Sequence, residues 1–142
     1  DIFVDIHFSQ RVSETVFRIQ EAVRHSVESM TEYRILSVNV TVTGVYFDDE
    51  KLGAASFDPE KGIVDYALSD RIDGYYHGTG DVFASAFCGA LLNNFTIENA
   101  MGIAARYVCD CIKRTQSMDN PITYGVDFER GIPFYIKELG KV

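Results

Sequence analysis

Hydrophobic and polar positions change period several times along the chain. Ile2, Val4, Ile6 and Phe8 share one parity, with Asp1, Asp5 and His7 on the other, the two-residue repeat of a half-buried strand. From Arg11 the steps become three and four. Val12, Val16, Ile19, Val23, Val27 and Met30 form one face, and Glu14, Arg18, Glu21, Arg24 and Glu28 the other. That predicts an amphipathic helix of about five turns, with Ser9 or Ser13 as its N-cap. Leu36, Val38, Val40 and Val42 then alternate with Ser37, Asn39, Thr41 and Thr43, and their β-branched content predicts a strand. Val45 to Phe47 prolong the extended run into an acidic turn, Asp48-Asp49-Glu50. Leu52 to Phe57 and Ile63 to Leu68 flank the turn signal Asp58-Pro59-Glu60-Lys61-Gly62. Short strands with tight turns predict an antiparallel hairpin or meander.

Beyond Gly74-Tyr75-Tyr76-His77-Gly78-Thr79-Gly80 the pattern turns helical. Asp81 to Leu92 is almost wholly apolar or small, as in a helix buried on all sides. Asn93-Asn94-Phe95-Thr96 breaks it, and a second helix runs from about Ile97 to Thr115, with Ile97, Met101, Ala104, Val108 and Ile112 inward and Glu98, Asp110 and Lys113 outward. Gln116 to Thr123 reads as a loop. A last helix follows Asp127 and tolerates Pro133 only in its first turns. The expected fold class is α/β: a strand and helix, a short β-meander, then a helical C-terminal half.

Composition narrows the classes of function. The formal charge of −8, from 21 acidic and 13 basic residues, argues against general nucleic-acid binding, which needs a supply of Lys and Arg to displace counterions. No apolar run approaches the roughly 20 residues that cross a bilayer. The first residues lack the basic and apolar regions of a signal peptide, and a start at Asp1 rather than Met is expected of a processed chain or a fragment. Three cysteines, Cys88, Cys109 and Cys111, lie in helix-like apolar surroundings, which points to packing roles and a reducing, cytoplasmic setting.

The segment that carries chemistry is Gly78-Thr79-Gly80-Asp81, where a glycine loop meets a helix. A helix N-terminus offers unpaired N–H groups and the positive end of the dipole, and glycines let that backbone approach an anion. Such a cradle suits a phosphate or the charge that develops on one in a transition state. A carboxylate at this end, Asp81, is placed to take a proton from an attacking hydroxyl. The same tetrapeptide also suits a tight turn with Asp81 as N-cap.

His77 to Phe87 resembles the C-terminal signature of the ribokinase-like superfamily, and Tyr75 to Ala90 resembles its pyridoxal/pyridoxamine (vitamin B6) kinase branch. Thr43-Gly44-Val45 leading to Asp48-Asp49-Glu50-Lys51-Leu52-Gly53, and Tyr124-Gly125-Val126-Asp127-Phe128-Glu129, are similar to flanking segments of that family. The resemblance covers about residues 42–139. It implies the C-terminal part of a ribokinase-like fold and transfer of the γ-phosphate of ATP, with Mg²⁺, to the 5′-hydroxymethyl group of pyridoxal, pyridoxamine or pyridoxine. It implies Asp81 as general base, the backbone of Gly78, Thr79 and Gly80 as anion hole, and Thr43 and Gly44 beside the nucleotide, with the Leu52–Leu68 hairpin and the Gln116–Tyr124 loop nearby. It assigns no metal ligand. Tyr75 and Tyr76 are expected over the substrate side, and His77 either touches a phosphate or stabilises the turn.

Family members are much longer, and residues 1–42 lack their Asn-x-x-Glu element that organises the metal. Residues 1–41 carry no family resemblance, so the expected organisation is a strand and amphipathic helix over 1–41 joined to the kinase-like region over 42–142. An apolar helix without the rest of its sheet leaves surface uncovered, which predicts a homo-oligomer or a missing partner half. The alternative function is a nucleotide- or phosphate-binding module that does not turn over.

Overall fold

The computed structural model describes residues 12–46, 48–58, 63–119 and 124–141. The strand expected over residues 1–8, Ser9, the Ser13 side chain, the turn after Asp58 and loop residues 120–123 lie outside the described residues. The elements run α1 (Val12–Met30), β1 (Val40–Val45), β2 (Lys51–Asp58), β3 (Ile63–Asp70), α2 (Thr79–Leu92), α3 (Ile97–Gln116), a single 3₁₀ turn (Glu129–Gly131) and α4 (Ile132–Glu138). The three strands form one antiparallel meander in the order β1-β2-β3. The fold class is therefore α/β, as the sequence pattern implies.

By their internal contacts the residues divide into two units. Among the described residues, one unit holds those up to Thr41 with those between Ser56 and Asp65, and the other those between Val42 and Ala55 with those from Tyr66 onward. In the first unit, α1 buries Val16 and Gln20, half-buries Ile19, Val23 and Val27, and leaves Glu14, Arg18, Glu21 and Glu28 in solvent. The segment after α1 is tied to it by polar side chains: Gln20 Nε2 donates to the Val38 carbonyl at 2.8 Å, and Glu28 Oε1 accepts from the Ile35 N–H at 2.8 Å. Here the predicted strand over Leu36–Val42 is too long. Helix side chains take up backbone groups at Ile35 and Val38, so regular strand begins only at Val40 and Leu36 is 91% exposed.

The second unit has its core between the sheet and α2, α3 and α4. Ala54, Phe83, Ala86, Met101, Ala104 and Tyr107 are buried in one cluster, and Ala90, Ala100 and Ile103 in another. Register in the β2–β3 hairpin is marked by Lys51 Nζ on Asp70 Oδ1 at 2.5 Å and by the Arg71 N–H on the Glu50 carbonyl at 2.8 Å. The acidic turn before β2 is an Asx turn, with Asp48 Oδ1 accepting from the Glu50 and Lys51 amides at 2.9 Å.

α3 matches its predicted span and inward face. Thr96 caps it by accepting the Asn99 N–H at 3.3 Å, and Lys113 and Arg114 sit in the last turn where the dipole favours them. Pro133 falls in the first turn of α4, where a missing N–H costs nothing.

α2 departs from expectation. Only Phe83, Ala86 and Ala90 are buried; Ser85, Cys88 and Leu91 are exposed, and Leu92 is 86% exposed. α2 lies on α3, which covers one stripe rather than the full circumference. The cysteines divide accordingly: Cys111 is fully buried, Cys109 half-buried and Cys88 exposed. Burial raises the Cys111 pKa, so that thiol is a packed, protonated group; an inward packing role does not extend to Cys88.

Candidate functional site

The site is built where the chain leaves β3 and enters α2. Gly78 is the N-cap of α2, at φ 76° and ψ 1°, in the left-handed region that glycine reaches without a Cβ clash. It offers no side chain, and no side-chain hydrogen bond caps this terminus. Asp81 is therefore not the N-cap that the tetrapeptide also suits. Thr79 is the first helical residue and Asp81 the third, so Asp81 stands in the first turn rather than before it. The Val82 N–H is the first helical donor seen to be taken, by the Gly78 carbonyl at 3.0 Å. The amides of Thr79, Gly80 and Asp81 precede it and have no carbonyl one turn back within the helix.

Space lies beside these amides. A Cβ added at Gly78 or at Gly80 would meet no atom within 4 Å. Asp81 is exposed, and its side chain makes no hydrogen bond or ion pair with the described residues. Thr79 turns its hydroxyl back to the Tyr76 carbonyl at 3.4 Å. His77 is exposed, and its ring meets Tyr75 edge-on with centroids 4.8 Å apart.

A cavity of about 340 Å³ adjoins this turn and brings together four of the residues singled out in the sequence: Thr43, Gly44, Thr79 and Gly80 all line it. Its volume falls in the usual range for small-molecule sites. Gly78 and Asp81 are not among its lining residues, and Tyr75 and Tyr76 are. Its apolar walls come from Leu52, at the start of the hairpin implied near the nucleotide, and from Ile72, Phe83, Val108 and Ile112, which the sequence does not mark as site residues. The signal for the last two was present, since Ala105, Val108, Cys109 and Ile112 follow helical spacing on one face of α3. Periodicity marks such a face but does not distinguish a cavity wall from a core. Gln116, which opens the loop expected near the nucleotide, donates from Nε2 to the Asp73 carbonyl at 3.0 Å.

A larger groove of about 980 Å³ lies along β3 and α3, with Lys51, Asp70, Arg106, Lys113 and Glu138 on its walls. Its charges are largely paired, Lys51 with Asp70 and Arg106 with Glu138, the latter at 2.5 Å. The Lys51 pKa is raised and the Asp70 pKa lowered by this contact. Of the segments implied near the nucleotide, Tyr66, Ala67 and Leu68 of the Leu52–Leu68 hairpin line the groove, whereas Thr43, Gly44, Gly78, Thr79, Gly80 and Asp81 do not. Among the described residues no group of three or more His, Cys, Asp or Glu is arranged to hold a metal ion. No helix among them is long and apolar enough to cross a membrane.

Comparison with solved structures places this arrangement in a known fold. Pyridoxal kinase from Lactobacillus plantarum superposes with a TM-score of 0.63 and 22% identity, over 82% of this chain and 41% of the kinase. A protein of Bacteroides thetaiotaomicron assigned as a phosphomethylpyrimidine kinase, in a crystal form with pyridoxal, gives a TM-score of 0.62 at 18% identity, over 81% of this chain and 40% of that one. The fold resembles a segment of a pyridoxal kinase. At these identities the likeness is one of fold, and the chain spans about two-fifths of the length of these proteins.

The amino-terminal part matches something else. Residues 1–47 fit the model of a protein family described as having a cell envelope-related function. This supplies a family likeness for residues 1–41, where the sequence reading has none. The matched stretch runs through β1, so Thr43 and Gly44 lie in the envelope-family segment as well as in the stretch that resembles the kinases. No curated protein matches the chain significantly.

Proposed function

We propose that the region over residues 42–139 is the phosphate-handling part of an ATP-dependent kinase acting on the 5′-hydroxymethyl group of a B6 vitamer. The observation that carries this reading is the uncapped N-terminus of α2, opening at a left-handed Gly78 beside a cavity that Thr43, Gly44, Thr79 and Gly80 share. Free amides at a helix N-terminus bind a phosphoryl group and stabilise the charge that grows on it. The apolar cavity walls suit the base of a nucleotide. Phosphoryl transfer asks a protein mainly for positioning and charge stabilisation, and this turn offers both.

In the proposed step the vitamer hydroxyl oxygen forms a bond to the γ-phosphorus of ATP. The bond from that phosphorus to the β–γ bridging oxygen breaks, and ADP leaves with the electron pair. Asp81, exposed in the first turn of α2, takes the hydroxyl proton. The backbone of Gly78, Thr79 and Gly80 holds the transferred group. Mg²⁺ in phosphoryl-transfer sites is held mostly by substrate phosphates, waters and one or two carboxylates, so it needs no cage of protein ligands. It supplies neutralisation of phosphate charge when bound. A reaction that draws on ATP fits a cytoplasmic setting.

A second reading is a module that binds nucleotide or phosphate at the same turn without transfer. The family match over residues 1–47 supports an envelope-related setting for the amino-terminal part. Exposed apolar residues of the second unit, Leu92 at 86% and Ile132 at 45%, support association with a second copy or with a complementary half.

Turnover with ATP, Mg²⁺ and pyridoxal, run beside calorimetry with ATP and Mg²⁺, separates the readings. The kinase reading expects pyridoxal phosphorylation that falls by about 10² or more in Asp81→Asn, with nucleotide binding kept. Binding without phosphate transfer supports the module instead. Equal activity in wild type and Asp81→Asn removes Asp81 from the mechanism.

A further inference from the structure

We propose that Gln116 and Tyr76 are positioning residues for the phosphate-binding turn, forming a strap from the end of α3 to Thr79. The proposal rests on the phosphate reading of Gly78–Asp81 and names the residues that hold that turn in shape. The connection from Arg71 to Gly78 has neither helix nor strand, so its backbone polar groups must find partners elsewhere. Two side-chain donors converge on one of them. The Asp73 carbonyl accepts from Tyr76 Oη at 3.1 Å and from Gln116 Nε2 at 3.0 Å. The Tyr76 carbonyl in turn accepts from Thr79 Oγ1 at 3.4 Å. The result is a continuous series of hydrogen bonds, Gln116 to Asp73 to Tyr76 to Thr79.

The strap is fixed by packing as well. The Tyr76 ring is half-buried against the core cluster that contains Phe83 and Met101. Gly74, at φ 122°, lies against that ring so closely that an added Cβ would stand 2.8 Å from it. Glycine is needed there twice over, for its backbone angle and for the approach of the ring. The other end of the connection is pinned by the Arg71 N–H on the Glu50 carbonyl. Gly74, Tyr76 and Thr79 all line the 340 Å³ cavity, so the held segment forms part of its wall.

Amides that cradle a phosphate act through fixed orientation, and disorder in the preceding loop is an entropic cost met on binding. Gln116 is exposed, and it reaches Asp73 across 43 residues of sequence. Its role is therefore separable from core stability. Gln116→Glu keeps the length and shape but turns an acceptor toward the Asp73 carbonyl. Gln116→Lys keeps a donor.

The test uses the full chain. Backbone order parameters for residues 73–80 are measured without ligand, and the Kd for ATP with Mg²⁺ is measured by calorimetry. The strap predicts that Gln116→Glu lowers the order parameters and weakens binding by roughly 3- to 10-fold, the range of one hydrogen bond. Gln116→Lys stays near wild type, and Tyr76→Phe, which keeps the ring, moves in the direction of Gln116→Glu. Wild-type binding with unchanged order and affinity in Gln116→Glu overturns the strap and leaves the phosphate reading standing. A loosened loop in Gln116→Glu, in a chain whose wild type binds no nucleotide, overturns the phosphate reading and with it the function assigned to the strap.

Discussion

α2 and α3 are adjacent in sequence and lie on one another, yet they use their residues in opposite ways. α3 carries a charged face and buries eight residues; α2 is apolar along most of its length and buries three. Their first turns differ in the same sense. Thr96 closes the start of α3 by accepting the Asn99 N–H, whereas Gly78 leaves the start of α2 without any side-chain cap. In α3, apolar face and polar ends meet their partners inside the described fold. In α2, both an apolar stripe and a set of amides are left for something else. The difference teaches that hydrophobicity alone does not mark the central helix of this unit. The helix that organises the core is the amphipathic one; both helices border the cavity, the apolar one with its uncapped first turn.

The contrast is broken most severely through Met101, which α3 buries completely. Met101→Ala is expected to cost about 2–5 kcal/mol in denaturant unfolding, against less than about 0.5 kcal/mol for Leu92→Ala at the exposed end of α2. Similar losses at both positions would mean that α2 is as enclosed in solution as α3.

A second effect sits on the buried face of α3. The Tyr107 hydroxyl donates to the Phe128 carbonyl at 2.6 Å, and its pKa is pushed up to about 12, by burial first and then by Cys111 beside it. The folded state thus favours the neutral phenol. Its contribution is whole below the ordinary tyrosine pKa of 10.0 and is lost as pH rises through about 12. Between those values the melting temperature of wild type is expected to fall more steeply than that of Tyr107→Phe. Parallel curves would place the alkaline loss elsewhere.

The smallest of these effects concerns the caps. Thr96→Ala removes the acceptor for Asn99 and is expected to cost about 1 kcal/mol. Thermal unfolding without a measurable change would show that α3 does not depend on its cap.

Much of this arrangement was legible in the sequence, and the parts that were not share a cause. The α3 face, the β2–β3 hairpin and the start of a helix at Gly78–Asp81 follow from local periodicity and turn chemistry, which act within a few residues. The strand expected over Leu36–Val42 was cut short by Gln20 and Glu28, side chains from 18 and 7 residues away. The exposure of Cys88 and Leu92 depends on what packs around α2, and no period in α2 itself records that. Of the site, Thr79 and Gly80 stand out as loop glycine chemistry and Leu52 lies in the hairpin implied near the nucleotide, while Phe83 and Ile112 read only as core positions until the cavity places them on its wall. The bond from Gln116 to Asp73 spans 43 residues between two exposed polar groups, a pairing that hydrophobic pattern does not encode.

The claim that joins these observations is that the uncapped start of α2, and not the capped start of α3, receives a phosphate. Titration of ATP and Mg²⁺ into ¹⁵N-labelled protein, followed at backbone amides, tests it directly. The largest shifts are expected at Gly78, Thr79, Gly80 and Asp81, with Ile97, Glu98 and Asn99 unmoved. Shifts centred on the start of α3, or none at either helix at millimolar nucleotide, would contradict it.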